Sequence, residues 1–172
     1  MFETGALDRL GGVKVEARLQ ELGLVLPAAL QPPSGVRLPF SPVRMYGDRA
    51  YVAGHGPQNA DGTSAAPFGK VGVDVTLEQG REAARLTALA MLGSLQRALG
   101  DLDRISAWLR VFGMVNAVPG FAQEPAVING CSDLLIEVFG ADVGGHARCA
   151  VGLADLPFNI PVEIEAEVAI RP

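Results

Sequence analysis

Arg148 heads an apolar run, Cys149-Ala150-Val151-Gly152-Leu153, where a guanidinium must find an anion or reach solvent. Its planar fork is suited to gripping a carboxylate through two parallel N–H bonds. A structural ion pair, or a side chain that snorkels to water, would explain the same residue. Further on, Glu163, Glu165 and Glu167 alternate with Val162, Ile164, Ala166 and Val168. That period of two predicts a strand with carboxylates on one face and aliphatic side chains on the other. One of the three carboxylates could act as a general acid/base, or all three could simply solvate an outer face.

Other chemistries find little support. His55 and His146 are the only histidines, 91 positions apart, and neither sits in an HExxH or CxxC arrangement, so no metal is expected. Cys149 adjoins Arg148 in a strand, where neighbours point to opposite faces, so the arginine need not activate the thiol. Gly69-Lys70-Val71-Gly72 lacks the spacing of a phosphate-binding loop. Two cysteines, Cys131 and Cys149, make a poor disulfide framework. Both are read as reduced thiols packed as small apolar groups in a cytoplasmic protein. The net charge is −5 with no run of Lys and Arg, which argues against nucleic acid as the main partner. Met1-Phe2-Glu3-Thr4-Gly5 has neither the basic start nor the apolar stretch of a secretory signal. No apolar run approaches the ~20 residues that a membrane helix needs.

The elements that must position these groups can be read along the chain. At 172 residues, 49% of them hydrophobic, the chain suits one domain with a substantial core. Residues 13–24 show a short helical pattern through Val15, Leu19 and Leu22, and Pro27, Pro32, Pro33 and Gly35 then interrupt regular structure. This divides the chain into an N-terminal helix and Pro-rich linker, 1–36, and a domain, 37–172. Strands are expected at 42–46 and 49–53 around a Gly47-Asp48 turn. A long helix should run from Thr76 to Leu99, with Thr76 and Gln79 forming a capping box, Leu86, Leu89, Leu92, Leu95 and Leu99 on one face, and Gly100 as the stop. Over 105–115 the alternation turns Ile105, Ala107, Leu109, Val111, Gly113 and Val115 one way. Trp108, Arg110, Phe112 and Met114 go the other way, as the second wall of a sandwich core or as an oligomer interface, which we favour. A second helix should span 124–139, with Pro125 in its first turn and Gly140 at its end. Strands at 148–154 and 162–169 complete an α+β domain with a mixed sheet and two helices on one face.

The residues that carry this pattern resemble a known family. Gly145-His146-Ala147-Arg148-Cys149-Ala150-Val151, then Leu156-Pro157, then Val162-Glu163-Ile164-Glu165-Ala166 is similar to the C-terminal signature of RidA/YjgF proteins. Tyr51-Val52-Ala53-Gly54-His55-Gly56-Pro57 resembles the end of that family's strand with the (I/V)SGQ.P pattern, and Gly69 to Gly72 with Glu78 to Ala84 resembles the approach to its long helix. The likeness covers roughly 37–170. It implies a chorismate-mutase-like fold and a homotrimeric barrel with clefts between subunits that bind 2-oxo or 2-imino acids. It further implies a cofactor-free deaminase that hydrolyses 2-iminobutanoate or 2-iminopropanoate to the 2-oxo acid and ammonia. On this resemblance Arg148 and the Ala150 amide hold the substrate carboxylate, Glu163 handles the proton, and Gly54, Phe40 and Asn129 line the site. Phe40 stands where the family usually has a tyrosine, and Ala53-Gly54-His55 replaces Ser-Gly-Gln. The rival function is non-catalytic binding or sensing of a 2-oxo acid in the same cleft. An RNA-directed activity, attached to some relatives, is disfavoured by the acidic balance.

The strand order adds a constraint of its own. Arg148 and Glu163 start successive strands that run in opposite directions, which places them roughly 15–20 Å apart within one chain. They can share a ligand only if a second subunit brings its copy near.

Overall fold

In the computed structural model, which describes residues 15–171, the long helix α2 spans Leu77–Leu99. Its start is held as the sequence predicts. Thr76 Oγ1 accepts from the Gln79 amide at 3.2 Å, and Gln79 Oε1 accepts from the Thr76 amide at 2.9 Å. This reciprocal pair satisfies two amides that the first turn leaves open. Gly100 closes the helix in the left-handed conformation at φ 80°, with its N–H on the Gln96 carbonyl.

Helix α3, Glu124–Gly144, packs beside α2, carries Pro125 in its first turn, and breaks at Gly140, whose φ of 75° and ψ of 166° are not helical. The two helices cover one face of a five-stranded sheet. Its strands are β1 (Val43–Tyr46), β2 (Arg49–His55), β3 (Ile105–Asn116), β4 (Ala147–Leu153) and β5 (Val162–Ile170), in the order β1-β2-β5-β3-β4. All neighbours are antiparallel except β3 and β4, which are parallel and joined through α3. The core lies between sheet and helices, where Val111, Val115, Val162, Ile164 and Val168 meet the aliphatic faces of α2 and α3.

The short helix α1, Val15–Glu21, joins this core through Val15 and Leu19. Glu16 accepts from the Leu102 amide at 3.0 Å, and Asp103 accepts from the Val15 amide at 2.8 Å. The extended segment that follows is pinned by Ala28 N–H on the Ala60 carbonyl and Gln31 N–H on the Gly62 carbonyl, each at 3.0 Å. The reading of Met1 to Gly5 lies outside the described residues.

Two expectations are corrected. Trp108 does not share the outer face with Phe112 and Met114. The register of β3 against β5 shifts between Trp108 and Arg110, and this bulge turns the indole toward the helices. There it is 1% exposed and meets the Phe139 ring edge-on at 5.8 Å. Arg110, Phe112 and Met114 keep the outward direction, with the Arg110 guanidinium 5.3 Å from the Phe112 ring centre. The second correction concerns the thiols. Cys131 is buried as expected, and burial pushes its thiol up to about 12. Cys149 is exposed, because it lies on the edge strand opposite Phe112 and faces away from the helices.

Candidate functional site

The residues singled out by the sequence fall into two clusters. The first gathers at the head of β4. Arg148 pairs in register with inward-facing Val111 and turns toward the start of α3. One terminal nitrogen, Nη1, donates to Asn129 Oδ1 at 2.9 Å and to Ser132 Oγ at 3.0 Å, and Nη2 donates to the Pro125 carbonyl at 3.3 Å. All three acceptors are neutral. Among the described residues no carboxylate forms an ion pair with Arg148, so its charge is held in place without being neutralised. Ala150 follows on the same side of β4, which has a sheet neighbour on one edge alone and so leaves alternate backbone amides open on the other.

Ser132 and His146 belong to this cluster and were not expected. His146 Nδ1 donates to the Gly144 carbonyl at 2.7 Å, which fixes its tautomer and leaves Nε2 to accept from Ser132 at 2.9 Å. The Ser132 oxygen is thereby aimed at Arg148. The only signal in the sequence was the i, i+3 spacing of Asn129 and Ser132 on one helix face.

The second cluster lies across the ends of β2 and β5. Glu163 pairs with Met114 on the outer face of the sheet, away from the helices. Its carboxylate rests against Gly54, where a Cβ would come within 2.0 Å of Glu163 Oε1, so any larger residue there would displace it. Burial, with a smaller contribution from Glu165, raises the Glu163 pKa above the ordinary carboxylate range. A cleft of about 260 Å³ opens beside it, walled by Phe40, Pro57, Phe158 and Ile160. The turn bearing Phe158 is fastened from below, where Asn116 Nδ2 donates to Asn159 Oδ1 and to the Ile160 carbonyl, both at 3.3 Å. Lys70, from the glycine-rich stretch, serves the same end of the sheet. It bonds Asn116 Oδ1 at 2.9 Å, Asp155 at 3.1 Å and the Ala154 carbonyl.

Within one chain the two clusters do not meet. Arg148 points to the helix side of the sheet and Glu163 to the open side. They are separated by two strand spacings and three residues of register, about 14 Å in all.

Next to the Glu163 cleft lies a larger chamber of about 520 Å³ under the extended segment, bordered by Leu30, Phe40, Gly54, His55, Ser94 and Arg97. His55 Nδ1 donates to the Ala53 carbonyl at 2.6 Å, and Nε2 accepts from Ser94 at 2.9 Å. Burial foremost, and then Arg97, lowers the His55 pKa, so the ring stays neutral at neutral pH. Arg97 in turn donates to Ser94 Oγ at 3.0 Å and to the Pro27 carbonyl at 2.9 Å. Sequence reasoning missed Ser94 and Arg97 because they read as ordinary positions of an amphipathic helix.

A mixed sheet covered by helices on one face, with a cleft over the strand ends, defines a chorismate-mutase-like α+β domain. The chain belongs to the family described as "YjgF/chorismate_mutase-like, putative endoribonuclease", whose profile matches residues 16–164. It is 41% identical over 158 residues to Protein TCP17 of Trypanosoma cruzi, covering 92% of this chain and 95% of that one. It is similar to the crystal structure of Atu1372 from Agrobacterium tumefaciens at 40% identity and a TM-score of 0.80, covering 92% and 94% of the two chains. The YjgF gene product of E. coli shares the fold at 19% identity and a TM-score of 0.56, over 86% and 98% of the two chains. The expected family and fold are thus both found. Among the described residues no helix is long and apolar enough to cross a membrane.

Proposed function

We propose that this protein hydrolyses reactive 2-imino acids to 2-oxo acids and ammonia in clefts shared between subunits of a homotrimer. The observation that carries the reading is the placement of two incomplete half-sites on one chain. One is a positioned, unneutralised guanidinium, and the other is a cleft holding a carboxyl with a raised pKa. Each lacks what the other supplies, and the opposite orientation of Arg148 and Glu163 makes a neighbouring copy the natural source.

In this arrangement Arg148 and the Ala150 amide of one subunit hold the substrate carboxylate, with Asn129 and Ser132 orienting the fork. The imine carbon lies over Gly54 of the next subunit, between Phe40 and Phe158. A water molecule adds its oxygen to that carbon while Glu163 takes the water's proton, and the C=N electron pair passes to the protonated nitrogen. Glu163 then returns the proton to the amino nitrogen of the carbinolamine. The C–N bond breaks, ammonia departs, and loss of the hydroxyl proton leaves the 2-oxo acid. Nothing in these steps calls for a cofactor, because a protonated imine is already electrophilic.

The test is turnover of 2-iminobutanoate generated freshly in the assay, measured beside 2-oxobutanoate binding. Acceleration over the uncatalysed reaction is expected. Binding without turnover would leave the site as a 2-oxo acid sensor. A salt-dependent shift of RNA without either property would replace this reading with an RNA-directed one.

A further inference from the structure

The chamber beside the Glu163 cleft contains charge that the hydrolysis does not use. Leu30, Phe40, Gly54 and Gln58 border both spaces, so the two lie side by side. The walls of the chamber are largely apolar, with Ala29, Leu38, Pro42 and Val43 among them, and they include buried Ser94 and solvent-exposed Arg97.

Four features around Arg97 point to an anionic ligand group. Arg97 forms no ion pair among the described residues, and burial alone shifts its pKa, downward, with no acidic group acting on it. The Ser94 and Pro27 bonds occupy two of its five N–H donors, which leaves three to offer. The relay behind it is rigid, since the Ala53 carbonyl fixes the His55 tautomer and His55 in turn fixes the direction of the Ser94 hydroxyl. Gln58, 5% exposed, borders the same chamber with Oε1 buried and unbonded among the described residues. Rotating that amide would put its NH₂ in the same place, as a donor.

We propose that this chamber is a second carboxylate subsite, so that the preferred substrates are 2-imino or 2-oxo acids whose side chain ends in a second carboxylate. The inference rests on the proposed function, which places the first carboxylate on the neighbour's Arg148. A short aliphatic chain then crosses the apolar neck beside Phe40, and its terminal carboxylate meets Arg97 and Gln58. A purely aliphatic side chain would leave the cation without a counter-charge, and an ammonium end would be repelled by it.

The experiment is calorimetric titration of the full-length protein with 2-oxobutanoate and with 2-oxoglutarate. Wild type should bind the diacid at least ~10-fold more tightly, as expected for an added charge-assisted contact. Arg97→Met should bring the ratio of the two affinities near unity, while Arg97→Lys, which keeps the charge, should hold it above unity. A ratio near unity in wild type, or one that neither substitution alters, overturns the subsite and leaves the reading of Arg148 intact. If neither acid binds, the proposed function falls with it. The wild-type and Lys ratios decide the matter even if Arg97→Met fails to fold.

Discussion

At the residue scale Arg148 can serve as a binding group or as a structural strut, and its contacts distinguish the two. Its partners are two side-chain oxygens and a carbonyl, all neutral, so replacing it breaks no ion pair within the described chain. Hydrogen bonds to charged groups are worth about 1.5–3 kcal/mol. Arg148→Ala should therefore lower kcat/KM, or 2-oxobutanoate affinity, by at least ~10²-fold. Arg148→Lys should recover only part of that loss, because the fork geometry is gone. Thermal melting and sedimentation should show both variants folded and assembled; an Ala variant that binds normally would make the arginine structural. Glu163 makes a second, separable prediction. Glu163→Gln keeps the shape beside Gly54, so it should lower kcat by ~10²–10⁴-fold with little change in ligand affinity. Its folded-state pKa is raised, so the folded chain binds this proton more tightly than the unfolded chain does. The resulting contribution to stability is full below the ordinary carboxylate pKa and is lost as pH rises through the elevated one. Glu163→Gln should accordingly melt higher than wild type at neutral pH, with the gain disappearing in acid. A gain that persists below the ordinary carboxylate pKa would show that ionisation is not its source.

At the element scale, local rules account for what could be read directly. The Thr76–Gln79 box, the Gly100 stop and the Gly140 break lie where residue type predicts, because caps and breaks are decided within a turn of chain. The alternation of Val162–Ile170 survives intact because β5 lies between two partners and one of its faces is fully buried. What failed in β3 was the phase of the alternation. Two register shifts, one on each side of Trp108, turn its side chain inward and restore the phase at Ile105, and nothing local in Ser106-Ala107-Trp108-Leu109 marks them. The polar relays Ser132–His146 and Ser94–His55 were illegible for a related reason. The first joins α3 to the link before β4 and the second joins α2 to β2, so their members are brought together only by packing. The corrected position of Trp108 has a measurable consequence. Truncation to Ala should cost about 3–5 kcal/mol, as for other buried aromatics. Its effect should appear in chemical denaturation of the folded chain, and not as selective dissociation of subunits. Dissociation with unchanged subunit stability would return Trp108 to an interface.

At the scale of the whole molecule, the helices cover one face of the sheet and leave Arg110, Phe112, Met114 and the three β5 carboxylates on the other. Half-buried apolar side chains on an uncovered sheet face favour association. Sedimentation at micromolar concentration should give a trimer, and Phe112→Glu should weaken it; a wild-type monomer would end the shared-site reading. The opposed orientation of Arg148 and Glu163 also bears on genetics. If every working cleft takes its guanidinium from one chain and its carboxyl from the next, two defective alleles need not be equivalent in a mixed population. Co-refolding equal amounts of Arg148→Ala and Glu163→Gln chains should restore about a quarter of the wild-type clefts, since half the chains supply each intact group. Each variant refolded alone should restore none. Such interallelic complementation would be impossible for a site contained within a single chain.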